Sequence, residues 1–430
     1  MSFERPHIPE VTPSDALLLR LLRFGDLAVD AAVASAATWQ ALLPRATELA
    51  VSPLVYAVIR PCADRLGVPK PICQTLHSHY AENGLRNLAL YQRMRTIILH
   101  LRRQGIAVIV LKGAYLAQVV YRDPSLRLMS DIDLLVKPED IARVRDLFHH
   151  LGYVQVQPDE PVGDARHHDQ FAHPTVQPDF EIHWSLVSSG ELFRVDHEGL
   201  WERAVETSIA GLPAQVLSPE DMVLHLCLHT SYQHVFDRFS LRCLCDIQRC
   251  LRHYGARVDW EQVCRRADEW RCTRHVHLTL LLACELLGAT VPPAVVARLR
   301  PAEFDERLAR WAMHRVLGLV DDREGPWSAN VGRWHLTTSL TEKITLTRRI
   351  CFPPRQEVAD RSGLSPDSNR LWLSYLRHWG ELARRAIQMA FPAKIDSASV
   401  PPIQWTERET GRAALMRWLR HENGGAIHHE

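Results

Sequence analysis

Hydrophobic residues in the first hundred positions recur with the period of a helix. Leu17, Leu18, Leu21 and Leu22 follow Pro13 at i, i+3, i+4 spacing, and Leu88, Tyr91, Met94, Ile98 and Leu101 form the apolar stripe of a long helix over 85–103. Ser52-Pro53 reads as a cap followed by proline in the first turn, and Gln104-Gly105 as a C-terminal stop. From 106 the pattern shortens: strand 107–111, helix 114–121, loop 122–130, strand 131–136, helix 139–151 and a strand near 153–156. Residues 157–178, rich in proline and histidine, predict a loop or a strained hairpin arm. The run from Asp179 to Leu186 then alternates strictly, with Phe180, Ile182, Trp184 and Leu186 on one face and Glu181 and His183 on the other. Ser218-Pro-Glu-Asp221 is a capping box that starts a helical stretch lasting to about 299. Beyond it, helices are broken at 321–326, 353–366 and 397–402, and the polar tail 421–430 is expected to be disordered.

Chemistry enters with the strand that begins Asp131-Ile-Asp133. Side chains alternate along a strand, so both carboxylates share a face while Ile132, Leu134 and Val136 point into a core. Sheet stability does not favour like charges placed side by side. A hard divalent cation removes the cost, because it takes oxygen ligands and shares them with phosphates.

Leu111-Lys-Gly113 followed by Arg127-x-x-Ser-Asp-Ile-Asp-Leu-Leu-Val136 resembles the signature of the uncharacterised bacterial nucleotidyltransferases in the polymerase-β-like superfamily. The usual superfamily signature is a Gly-Ser or Gly-Gly turn, then Asp-x-Asp, with a third carboxylate on a later strand. This chain carries Lys-Gly instead and a longer gap before its first aspartate, a pattern also similar to the Leu-Lys-Gly-Gly enzymes of abortive-infection toxin systems. The resemblance, which covers roughly 14–300, implies an α+β fold. A small nucleotidyltransferase core of mixed sheet and helices (106–190) would lie after an N-terminal helical segment (1–105). A helical domain (191–310) and a C-terminal helical region with loops and tail (311–430) would follow it. It also implies transfer of a nucleotidyl group from an NTP, with ATP the expected donor, and release of pyrophosphate.

On that reading Asp131, Asp133 and Glu181 are the catalytic carboxylates and the ligands of Mg²⁺ or Mn²⁺. Glu181-Ile-His183-Trp184 matches the family's acid-x-His-Trp run, and Asp179 competes with Glu181 as the third acid. Gly113 lets backbone approach a phosphate, and Lys112 contacts the β- or γ-phosphate. Arg127 either grips phosphate or pairs with Asp131 or Asp133, and Ser130 orients a carboxylate or caps a turn. His183 contacts substrate, orients Glu181 or fills a polar notch, while His167, His168 and His173 are expected to be solvated loop histidines.

The remaining signals are bland by comparison. His225 and His229, one turn apart, read as a buried polar knot hydrogen-bonded to Asp246 rather than as zinc ligands, since the metalloprotease glutamate is missing. The ten cysteines read as free thiols, and Cys243, Cys245 and Cys250 lack paired zinc spacing. The basic helix at 410–420 reads as a docking helix of the fold. With 51 basic against 50 acidic residues there is no global field for RNA, which favours a small molecule or a peptide as acceptor over RNA. A non-catalytic nucleotide- or partner-binding role on the same fold is the remaining reading. No signal segment and no spanning apolar run is evident, so a cytoplasmic protein without a membrane partner is expected. Lysine is scarce, which makes Lys112 inside the motif conspicuous.

Overall fold

The computed structural model describes residues 11–23, 35–156, 167–187, 192–319, 347–348, 351–353 and 370–390, with single positions at 355, 358, 368, 415, 418 and 419. Residues to Leu319, together with Leu419, belong to one compact unit, and Val320–Trp418 to another. In the second unit the helix Leu371–Ala390 packs Leu371 and Tyr375 against Val358, and Tyr375 donates its hydroxyl to the Pro353 carbonyl. The breaks expected at 321–326 and 397–402 and the tail 421–430 lie outside the described residues, as does most of 410–420.

The first unit opens with four helices: α1 (Pro13–Leu22), α2 (Ala36–Glu48), α3 (Ser52–Ile59) and α4 (Lys70–Arg103). Thr12 and Ser35 cap the first two through their hydroxyls. Ser52 is not the expected cap: it is the first helical residue of α3, and Val51 holds the cap position without a side-chain bond. α4 begins at Lys70, earlier than the apolar stripe alone predicts, and stops at Gln104 with Gly105 at φ +70°.

The face that α4 buries also differs from the expected stripe. Leu88 is 58% exposed, whereas Asn83, Gly84 and Asn87 are buried beside Tyr91, Met94, Ile98 and Leu101. The asparagines are inside because they serve the loop before the Asp-x-Asp strand. Asn83 Nδ2 donates to the carbonyls of Ser125 (2.8 Å) and Arg127 (3.0 Å), and Asn87 Nδ2 to those of Pro124 (2.6 Å) and Arg127 (2.8 Å). At Gly84 a Cβ would fall 2.3 Å from Ser125 Oγ and 3.2 Å from its Cβ, so any larger residue would have to displace the Ser125 side chain. Polar satisfaction outranks hydrophobic periodicity on this turn of the helix.

The sheet has seven strands in the order β3-β4-β5-β2-β1-β7-β6. These are β1 (Ile109–Val110), β2 (Asp131–Leu135), β3 (Val154–Gln155), β4 (His168–His173), β5 (Val176–His183), β6 (Val205–Ile209) and β7 (Leu212–Val216). β2 runs parallel to β5 and β1 parallel to β7, while the other neighbours are antiparallel. Ile132, Leu134, Val136, Phe180 and Ile182 are buried as their alternation requires. Between β1 and β2 come the short helix α5 (Lys112–Tyr115) and a π-helical turn, Leu116–Val120. Helix α6 (Ile141–His150) connects β2 to β3 and packs Phe148 against Phe171 and, edge-on, Phe180 at ring distances of 4.6 and 5.4 Å.

Of the two readings for 157–178, a loop or a strained hairpin arm, the described part takes the second: β4 pairs antiparallel with β5, with a register shift near Phe171 and His173. The strand pattern of β4 is hidden because the inward position 169 is an aspartate, held by Arg145 (2.7 Å) and Gln155 (2.9 Å). The hairpin β6–β7 lies beyond 190, where helix was expected, and joins the sheet through β1. Its two-residue turn is Ala210-Gly211, both at positive φ (53° and 71°), the geometry that suits the twist of a tight hairpin.

After α7 (His197–Glu202) and the hairpin, helices α8 (Pro219–Leu228), α9 (Ser240–Tyr254), α10 (Trp260–Glu269), α11 (Thr273–Leu287), α12 (Pro293–Leu299) and α13 (Glu306–Val316) complete the unit. A second π turn, His229–Gln233, extends α8. Ser218 caps α8 by accepting from Asp221 N–H, as the capping box predicts. Among the described residues no helix is long and apolar enough to cross a membrane.

The asparagine face of α4 makes a direct prediction. Asn87→Ala removes the donor to two carbonyls and should destabilise the protein by about 1–3 kcal/mol. Leu88→Ala, on the exposed side, should change stability by no more than about 0.5 kcal/mol. Chemical denaturation of the two variants beside the parent protein measures both, and the opposite ranking would refute the assignment of the buried face.

Candidate active site

The parallel pairing of β2 with β5 places Asp131 opposite Asp179 and Asp133 opposite Glu181. Four carboxylates from two neighbouring strands therefore share one face of the sheet. β1 reaches the same face from the other side: Leu111 N–H donates to the Asp133 carbonyl at 3.1 Å, and the chain turns at once into α5 with Lys112 in its first turn. Lys112 Nζ lies 3.0 Å from Asp133 Oδ1. His183 Nε2 lies 3.1 Å from the same oxygen and 3.4 Å from Glu181 Oε2.

Lys112, Asp133 and His183 are all buried, at 6%, 2% and 0% exposure. Burial works against charge on each of them, yet their mutual attraction wins. Lys112 and His183 hold the Asp133 carboxyl well below the usual carboxylate range, and the acids raise both Lys112 and His183. Asp131 behaves in the opposite way: burial, reinforced by the charge of Asp133, pushes its carboxyl up. Among the described residues no side chain hydrogen-bonds or ion-pairs with Asp131. Asp179 accepts from Gln170 Nε2 at 3.0 Å.

One ammonium and one imidazole thus face four acids, and the surplus charge fits a hard cation. Ligand atoms of Asp133, Glu181 and His183 lie within 4.8 Å of one another, close enough to hold one ion. Both contacts to Asp133 fall on Oδ1, and Asp131 contributes a carboxylate committed to nothing else.

The other expected residues are placed as follows. Gly113 is buried beside Lys112, and a Cβ there would meet Arg127 Nη1 at 3.0 Å and Met129 Sδ at 3.4 Å. Ser130 is exposed immediately before β2. Arg127 does not pair with Asp131 or Asp133. Its guanidinium grips Asp246 of α9 through Nε (3.0 and 3.1 Å) and Nη2 (3.0 Å), with both side chains buried, because Asn83 and Asn87 fix its backbone on the far side of Gly113. Tyr121 OH donates to Asp246 at 2.8 Å.

That arrangement corrects the reading of the histidine helix. With Arg127 and Tyr121 on its oxygens, Asp246 does not serve His225 or His229. Among the described residues neither ring nitrogen of His225 has a hydrogen-bond partner, and burial, with Lys112 adding to it, lowers its pKa to about 3. His229 Nδ1 instead lies 3.7 Å from Cys243 Sγ.

Of the expected loop histidines, His167 and His168 are not free in solvent, whereas His173 is half-buried at the end of β4. His168 lies on β4 opposite His183 and stacks on it with ring centres 5.0 Å apart, and His167 bonds to Gln233 of the second π turn at 2.9 Å. Burial, the largest influence on both, lowers the pKa of His167 to about 2 and that of His168 to about 4. Sequence reasoning had these histidines in hand; the missing signal was the β4–β5 register.

The family model of uncharacterised nucleotidyltransferases matches residues 35–288, more than half of the chain. The chain belongs to this family. No curated protein matches it in sequence. The nucleotidyltransferase match runs from Ser35, the cap of α2, to Gly288, the C-terminal cap of α11. It therefore takes in the whole sheet, the carboxylate face and the helices that carry Asp246, and the fold is the expected mixed sheet with helical flanks.

Because the Arg127–Asp246 pair is buried and bidentate, Asp246→Asn should destabilise the protein by about 3–5 kcal/mol. Arg127→Lys should not preserve stability, since an ammonium cannot reproduce the fork. Thermal and urea unfolding test this; a D246N protein as stable as the parent would show the pair to be dispensable.

Proposed function

We propose that the protein is a Mg²⁺-dependent enzyme that moves a nucleotidyl group from an NTP, with ATP the expected donor, to an acceptor and releases pyrophosphate. The observation that carries this reading is the face on which Asp131, Asp133, Asp179 and Glu181 converge beside Lys112. Asp131, Asp133 and Glu181 would hold the ion, with His183 fixing Asp133 and Glu181 from behind. Mg²⁺ bound there would neutralise triphosphate oxygens that the carboxylates would otherwise repel.

The chain's own groups supply the rest. Lys112 spends one of its three donors on Asp133 and can offer the others to a phosphate oxygen. Glu181, less buried than its partners, takes the acceptor's proton as the acceptor oxygen bonds to the α-phosphorus. The bond from the α-phosphorus to the bridging oxygen breaks, and pyrophosphate leaves. Glu181 is preferred to Asp179 because it is aligned with Asp133 and touches His183, whereas Asp179 is engaged by Gln170. The balance of 51 basic and 50 acidic residues favours a small molecule or peptide as acceptor over RNA.

NTP binding should therefore need Mg²⁺ or Mn²⁺. Calorimetry that finds equal affinity with and without EDTA would overturn the proposal. Lys112→Ala should weaken NTP binding about tenfold to a hundredfold, the worth of a hydrogen bond to a charged group. Glu181→Gln should keep binding and lose about 10²–10⁴ in turnover, read as NTP-dependent pyrophosphate release. An active Glu181→Gln beside an inactive Asp179→Asn would reassign the third carboxylate.

A further inference from the structure

Outside the carboxylate face, three soft donors meet where α8 gives way to α9. Ligand atoms of His229, His234 and Cys243 lie within 4.8 Å of one another, and His229 Nδ1 to Cys243 Sγ is 3.7 Å. We propose that these three side chains form a binding site for zinc, separate from the carboxylate face.

The backbone explains how the residues meet. In a regular α-helix residues five apart point about 140° away from each other around the axis. Here the turn from His229 to Gln233 is π-helical, His234 N–H donates to the His229 carbonyl, and the two rings come to 4.5 Å between centres. The chain then passes through Val235 and Phe236, both at positive φ (48° and 56°), before α9 presents Cys243 from the other side.

The geometry suits the ion. Bonds of roughly 2.0–2.1 Å to nitrogen and 2.3 Å to sulfur give tetrahedral edges of about 3.4–3.6 Å, close to the observed nitrogen–sulfur distance. Two imidazoles and a thiolate select zinc over magnesium, which prefers oxygen. Asp237 Oδ2 accepts from His234 Nδ1 at 3.1 Å, which leaves Nε2 for the metal and reproduces the carboxylate–histidine pairing that orients ligands at zinc. Asp237 is itself fixed, since its other oxygen accepts from Phe239 N–H at 2.9 Å. His229 and Cys243 are buried, whereas His234 is 24% exposed and gives the ion an entry path. This set of donors departs from the expectation, made for His225 and His229 with Asp246, that the histidine helix holds no zinc.

The test uses the full, untagged chain, stripped with EDTA and titrated with Co²⁺, then with Zn²⁺ as competitor. The proposal expects a thiolate-to-cobalt charge-transfer band, which Zn²⁺ removes, besides any Co²⁺ that the carboxylate face takes up. Cys243→Ser and His234→Gln should each abolish the band, and Asp237→Asn should weaken binding about tenfold to a hundredfold. Asp131→Asn should leave the band unchanged, which separates this site from the carboxylate face. His234 is partly exposed, so its variant tests the site even where Cys243→Ser fails to fold. Absence of a band in the parent protein, or a band that survives His234→Gln, would overturn the proposal.

Discussion

The register of one parallel strand pair governs this molecule. By aligning Asp131 with Asp179 and Asp133 with Glu181, β2 and β5 gather four carboxylates on one face. Two unit charges 4 Å apart repel by about 4 kcal/mol at the effective dielectric of a protein surface, so such a face cannot stand without compensation. Lys112 and His183 supply part of it, both on Asp133, while at Asp131 burial, reinforced by the charge of Asp133, pushes the carboxyl up. The residual demand for positive charge is what makes the face suited to a cation and a polyphosphate together.

The compensation depends on backbone placement, and that placement is built from buried polar contacts. Leu111 and Lys112 are aimed by the β1–β2 pairing, while the loop leading into β2 is held from outside by Asn83 and Asn87 and from inside by the Arg127–Asp246 pair. Gly113 sits where these meet, against Arg127 Nη1. Lys112-Gly113 can thus be understood without phosphate: the lysine neutralises the central aspartate, and the glycine leaves room for the arginine that anchors the helices. A phosphate role for Lys112 builds on this structural one and does not compete with it.

How much was legible follows from the range of each interaction. The alternation around Asp131, Asp133 and Glu181 is local, so the sequence alone placed those residues on strand faces, and the cap at Ser218 and the stop at Gly105 were equally local. The partner of Arg127 was not, because Asp246 lies over a hundred residues away and nothing in charge alone distinguishes it from Asp131 or Asp133. β6 escaped because most of Val205–Ile209 faces solvent, and its Ala210-Gly211 turn lacks the Asn-Gly or Asp-Gly that announces a hairpin. The asparagines of α4 escaped for the converse reason: a polar residue that is buried for its hydrogen bonds looks like a surface residue in the pattern.

Two π turns show a subtler limit. Periodicity read at 3.6 residues per turn assigns every later side chain in a helix to a face, and a single π turn shifts that assignment. In the first, Tyr121 N–H reaches back five residues to the Leu116 carbonyl, and the phenol arrives on Asp246; in the second, His234 does the same to His229, and its ring arrives beside that of His229 and the Cys243 thiol. Each turn delivers a side chain to α9, the helix that carries both Asp246 and Cys243. Continued as an α-helix, either segment would rotate the residue that follows it, Tyr121 or His234, by about 100° for the one position gained. The two irregular turns are therefore the means by which a regular helix, α9, is coupled to the loop of Arg127 on one side and to the histidine cluster on the other.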